Sequence, residues 1–131
     1  MSTVDVSTLL GRPAAKPWTP GDPLAITIWG WQSSGKTHQG LTMPDPLVAF
    51  MTETNLPQVL RSFPGKMVTP FGPYKVPLLG GWLEAKAEAD RFIKEYFTTL
   101  EALYKAGVQA SILVDSGSDI WRLIRYGYVT Y

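Results

Sequence analysis

The chain reads as an α/β domain, a parallel sheet flanked by helices, and three observations predict it. Short apolar runs of strand length alternate with helical stretches along the sequence. Buried strands that alternate with helices form parallel sheets, because the chain must cross a sheet face before it can add another strand on the same heading. The polar residues best suited to chemistry each follow the C-terminal end of an apolar run, and that edge is where such sheets bind ligands.

Taken in order, residues 1–23 are punctuated by Gly11, Pro13, Pro17, Pro20 and Gly21 and read as an extended arm or linker. "LAITIW", residues 24–29, is apolar and partly β-branched and ends at Gly30, so it predicts a first buried strand. A brief helix is expected over residues 36–43, stopped by Pro44 and Pro46. Residues 47–52 of "PLVAFMTE" predict a second strand. Residues 55–81 are rich in Pro and Gly and read as loops, with a small hairpin near Phe71-Gly72-Pro73. Next comes the strongest helical pattern. Ala85, Ala89, Phe92, Tyr96, Leu100 and Leu103 recur at spacings of three and four and so share a face, and Gly107 is placed to cap the end. Lys86 with Asp90, Asp90 with Lys94, and Arg91 with Glu95 are spaced to pair along this helix. Residues 111–114 of "ASILVDSGSDIW" predict a third strand ending at Asp115, followed by a helix that begins near Ser118 and carries Ile120, Trp121 and Ile124.

Composition narrows the function. At 131 residues, 45% of them hydrophobic, the chain can build one core. With no Cys it has no disulfide, no cysteine-ligated zinc and no thiol catalysis, which fits a cytoplasmic location. The single His, His38, cannot build a multi-histidine metal site. A net charge of +1 gives no global attraction to nucleic acid. No run approaches the ~18 consecutive apolar residues of a membrane span, so no membrane partner is expected.

The stretch "GWQSSGKT" fits G-x-x-x-x-G-K-T, the pattern of a phosphate-binding loop. Gly30 and Gly35 permit backbone angles that other residues resist and leave room for a phosphate to approach the main chain of Ser33 and Ser34. Lys36 would set its ammonium on the outer phosphates, and Thr37 would offer its hydroxyl to Mg²⁺. The alternative is an ordinary glycine-containing turn. Asp115, at the end of an apolar run, suits a carboxylate that holds magnesium through water, or else starts a turn. Ser116 positions a phosphate or caps a helix. Glu53, after the second strand, orients or deprotonates an attacking water, or is a solvated loop acid. Asp45 precedes its strand, at the opposite edge, and His38 and Trp31 read as packing or surface residues.

With these residues assembled, the chain resembles the RecA-like P-loop ATPases. "GWQSSGKT" looks like their phosphate loop, with the same S-S-G-K-T ending, and "ILVDSGSDI" looks like their apolar strand ending in V-D-S. The run "GKTHQGLTMPDPLVAFMTE", a long helix and then "LVDSGSDIW" is closer still to the small phage-type AAA/RecA-like ATPases, including the single-strand annealing and recombination type. The resemblance covers residues 24–124 and implies a P-loop NTPase core over residues 24–131, incomplete at the C-terminus because RecA-like cores continue through further strands. It implies ATP and Mg²⁺ as cofactors, ATP hydrolysis, and oligomeric action on single-stranded DNA in the host cytoplasm. By position it makes Lys36 and Thr37 the phosphate and magnesium residues, Asp115 the Walker B acid and Glu53 the catalytic glutamate. His38 departs from the pattern, standing where a second Thr or Ser is common.

Other readings are a DNA-packaging or other P-loop motor, a nucleotide-dependent binding module with little hydrolysis, and a loop kept for structure. Arg61, Lys66 and Lys75 are placed either to meet a phosphate backbone or to be solvated. Arg122 and Arg125 suit either arginine fingers or a charged helix face.

Overall fold

The computed structural model of the protein describes residues 9–11, 25–31, 35–77 and 81–129. The elements are α1 (Lys36–Gly40), β1 (Leu47–Met51), α2 (Leu56–Leu60), β2 (Val68–Phe71), α3 (Trp82–Ala106), β3 (Ser111–Asp115) and α4 (Gly117–Tyr128). The three strands form one parallel sheet in the order β2-β1-β3. Leu47 stands opposite Val68 on one side and Ser111 on the other, and Met51 stands opposite Asp115.

β1 is central and every residue of it is buried, as a strand covered on both faces requires. Its side chains alternate between two cores. Val48 and Phe50 face α3 and α4 and pack with Tyr74, Ala85, Ala89, Phe92, Ile120 and Leu123. Leu47, Ala49 and Met51 face the short helices and pack with Leu41 and Leu56. β3 follows the same rule, with Ile112 and Val114 on the first core and Leu113 on the second. The first core is aromatic: Phe50 stacks on Phe71 at 5.0 Å and meets Phe92 edge-on at 5.8 Å and Tyr96 at 5.2 Å. Each such pair adds about 0.5–1.5 kcal/mol beyond its buried area.

The long helix follows its sequence pattern. Ala85, Ala89 and Phe92 are buried, Tyr96 and Leu103 pack against the core, and Gly107 closes the helix in the left-handed conformation. Its polar face differs in part. Lys86 pairs with Asp90 at 3.2 Å as expected. Arg91 turns to Glu88 at 2.9 Å, while Glu95 accepts from the buried Tyr74 hydroxyl at 2.8 Å. Burial and the Glu95 carboxylate push the Tyr74 phenol above its ordinary range.

Two expectations are overturned. Residues 25–30 form no strand and are exposed, with Ile26 65% and Trp29 86% accessible; Leu24 lies outside the described residues. β-branched and aromatic composition reports fitness for a pleated, half-buried surface, and among the described residues no strand runs alongside to supply one. Residues 55–77 form no hairpin. They hold α2 and β2, and β2 pairs parallel to β1. After β2 the chain turns at Gly72, and the Tyr74 amide donates to the Met51 carbonyl at 2.9 Å. α2 forms despite Pro57 because a proline in the first turn sacrifices an amide that has no helical partner. Of the arm, only residues 9–11 are described, and Leu9 and Leu10 are helical.

Candidate functional site

The C-terminal edge of the sheet borders a cavity of about 700 Å³. Gly35, Lys36, Thr37 and His38 line it from the loop and α1, Thr52 to Asn55 from the bend after β1, Gln58, Val59 and Ser62 from α2 and beyond, and Asp115 from β3. Lys36, Thr37, Glu53 and Asp115, drawn from three separate stretches of sequence, therefore meet in one place.

Gly35 has φ 85°, a left-handed conformation that disfavours a side chain, and it caps α1. This glycine lets the loop enter the helix so abruptly that Lys36 and Thr37 occupy its first turn. Lys36 Nζ donates to the carbonyls of Gly30 at 2.8 Å and Trp31 at 2.9 Å, folding the start of the loop back over its end. Ser33 and Ser34 lie outside the described residues.

Thr37 and Asp115 are both buried polar side chains. The Thr37 hydroxyl donates to Asp115 Oδ2 at 2.5 Å. A buried charge requires a partner, and here the partner is 78 residues away in sequence. Because the hydroxyl donates its proton to the carboxylate, its oxygen keeps lone pairs for a cation. One hydroxyl and one carboxylate oxygen make a hard donor set of the kind Mg²⁺ takes when phosphates complete its shell. Among the described residues no group of three or more His, Cys, Asp or Glu side chains could hold a metal unaided.

Glu53 sits on the bend after β1, exposed by area but with its carboxyl partly withdrawn from water. That partial burial, followed by the negative charges of Asp115 and Asp119, raises its pKa above the ordinary value of 4.5, and Lys36 pulls in the opposite direction. A carboxylate with raised proton affinity is a better base than a solvated loop acid.

The other residues singled out in the sequence fall into separate places. Ser116 caps α4, its Oγ accepting from the Asp119 amide at 3.3 Å. His38 packs against Phe63 with the rings tilted and their centroids 4.7 Å apart, while lining the cavity. Asp45, at the other edge, pairs with Lys66 at 3.0 Å, and Lys66 also donates to the Met43 carbonyl. Arg122 lies 3.6 Å from Asp119. Sequence reasoning misses Thr52 and Asp119, which bond to each other at 3.0 Å beside the site. The S-x-x-D spacing of Ser116 and Asp119, a capping box, is a legible signal for the second. Asn55 and Gln58 escape it because the Pro- and Gly-rich composition of their segment conceals α2.

Among the described residues no helix is long and apolar enough to cross a membrane. Compared with protein-family models, with curated proteins and with solved structures, the chain finds no match.

Proposed function

We propose that this cavity binds ATP with Mg²⁺ and hydrolyses it, and that the chain is the ATPase module of a phage-type RecA-like protein acting in DNA recombination or replication. One observation carries the first part: the Thr37 hydroxyl of the G-K-T loop is bonded to the strand-ending Asp115 carboxylate, with Lys36 and Glu53 on the walls of the same cavity. Four residue types that phosphate transfer to water calls for thus converge from separate segments. The second part rests on the sequence resemblance, as do single-stranded DNA and a homo-oligomer as partners and the cytoplasm as location.

In this reading Lys36 exchanges its two carbonyl partners for phosphate oxygens, a stronger charge-assisted pairing. Thr37 and Asp115 would hold Mg²⁺, whose contribution when bound is to neutralise charge on the phosphates. Glu53 orients a water and accepts its proton on the carboxylate as the water oxygen attacks the terminal phosphorus; the bond from that phosphorus to the bridging oxygen breaks, and ADP leaves with the electron pair while phosphate is released. Phosphate release by the purified protein, with and without single-stranded DNA, tests the proposal. Single strands are expected to raise the rate. Stimulation by duplex DNA alone points to a packaging motor. ATP binding without phosphate release points to a binding module.

The lysine geometry favours one other reading, in which the loop is structural and Lys36 serves only to tie Gly30 and Trp31 to α1. Then Lys36→Ala would lower stability and leave ATP affinity where it was.

A further inference from the structure

The Thr52 hydroxyl stands where three elements meet. It donates to Asp119 Oδ2 at 3.0 Å and accepts from the Ser116 amide at 3.0 Å, and the Thr52 amide donates to the Asp115 carbonyl at 2.7 Å. The Asp115 carbonyl also lies 3.3 Å from the hydroxyl, but a hydroxyl has one proton and the nearer, ionised carboxylate is the stronger acceptor.

These contacts form a capping box with a third residue inserted. In the ordinary box the N-cap side chain bonds the amide three residues on, and the acid there reaches back to the N-cap amide. Ser116 and Asp119 make the first bond at 3.3 Å. The return bond runs through Thr52, from the Ser116 amide to the threonine oxygen and from the threonine proton to the Asp119 carboxylate. A residue at the end of β1 therefore closes the cap of α4. Thr52 directly precedes Glu53, and Asp115 directly precedes the capped turn, so both acids of the cavity hang from this junction.

We infer that Thr52 and Asp119 are positioning residues: together they tie the bend that carries Glu53 to the first turn of α4, and so hold its carboxylate in the cavity it shares with Lys36 and Thr37. The inference rests on the hydrolytic reading above. Displacing a catalytic group by about 1 Å is enough to cost on the order of a hundredfold in rate, so a single misplaced hydrogen bond at this junction is measurable.

The test compares wild type with Thr52→Val, which keeps the shape and removes the hydroxyl, Thr52→Ser, which keeps the hydroxyl, and Asp119→Asn. MgATP affinity, kcat, KM, stability to urea and the nucleotide-free exchange rate of the Ser116 amide are measured on each. Thr52→Val is expected to lower kcat by about ten- to a hundredfold while KM and affinity stay within about threefold. Thr52→Ser is expected to restore kcat to within about threefold, and Asp119→Asn to fall between the two. The Ser116 amide is expected to exchange faster in Thr52→Val and at the wild-type rate in Thr52→Ser. Thr52→Val with wild-type kcat, absence of rescue by serine, or kcat and affinity falling together in step with stability overturns the inference while leaving hydrolysis standing. A wild-type protein that binds MgATP and releases no phosphate overturns the hydrolytic reading and this inference with it.

Discussion

Removing the Thr37 hydroxyl is the sharpest perturbation of the site that needs no ligand to read. Thr37 is 7% exposed and Asp115 8%, and their bond at 2.5 Å is short and charge-assisted. Thr37→Val keeps the side-chain shape and strands the carboxylate; Asp115→Ala strands the hydroxyl and adds a small cavity. A hydrogen bond to a charged group contributes about 1.5–3 kcal/mol net. The cavity and transfer terms of the single variants cancel in a double-mutant cycle, so the coupling between Thr37 and Asp115 should fall in that same range of about 1.5–3 kcal/mol. Urea unfolding at pH 7 of wild type, both single variants and the double variant gives the four stabilities, read from the midpoints at constant slope. A coupling below about 0.5 kcal/mol, the scatter expected of independent sites, would refute the claim that this contact joins the loop to β3.

Two further outcomes follow from packing and charge. A Cβ at Gly127 would lie 2.7 Å from Lys86 Cα and 3.0 Å from its nitrogen, against 3.4 Å where ordinary contact begins, so α4 must back away from α3. Gly127→Ala should destabilise by about 1–2 kcal/mol in urea, overpacking outweighing the gain of up to about 1 kcal/mol in helix propensity; a more stable variant would contradict the close approach. Glu53 holds its proton more tightly folded than unfolded, so its ionisation opposes folding above the raised pKa, and the penalty is absent below the ordinary 4.5. Glu53→Gln should therefore raise the melting temperature at pH 7, with the difference vanishing as pH falls to about 4.5; an unchanged or lower melting temperature at pH 7 would contradict the partial burial of Glu53 and its crowding by Asp115 and Asp119.

The parts of this protein that are legible in its sequence share a physical character. β1, β3 and α3 carry strong apolar patterns: β1 is buried on both faces and β3 is half-buried against both cores, so the core dictates their sequence. Asp115 is recognisable because a charge at the end of such a strand demands a partner, and Gly35 and Lys36 because the loop pattern has fixed spacings. What escapes depends on contacts distant in sequence. The 24–29 run has strand composition, yet its described residues lie exposed, since a strand exists only through its neighbour. β2 is hidden among prolines, and Pro70 sits in it because an edge strand can leave that position unpaired. The Thr52–Asp119 bond spans 67 residues, and no local pattern announces such a pair.

Everything proposed for this cavity depends on Lys36 and Thr37 receiving the phosphates of a nucleotide. Calorimetric titration of MgATP into wild type and Lys36→Ala, each first shown to be folded by its urea transition, isolates that step. Wild type should bind saturably. From loss of a charge-assisted contact of about 1.5–3 kcal/mol, the variant should bind about ten- to a hundredfold more weakly. Equal affinity in the two proteins, or no binding to wild type, would show that these residues do not hold a nucleotide.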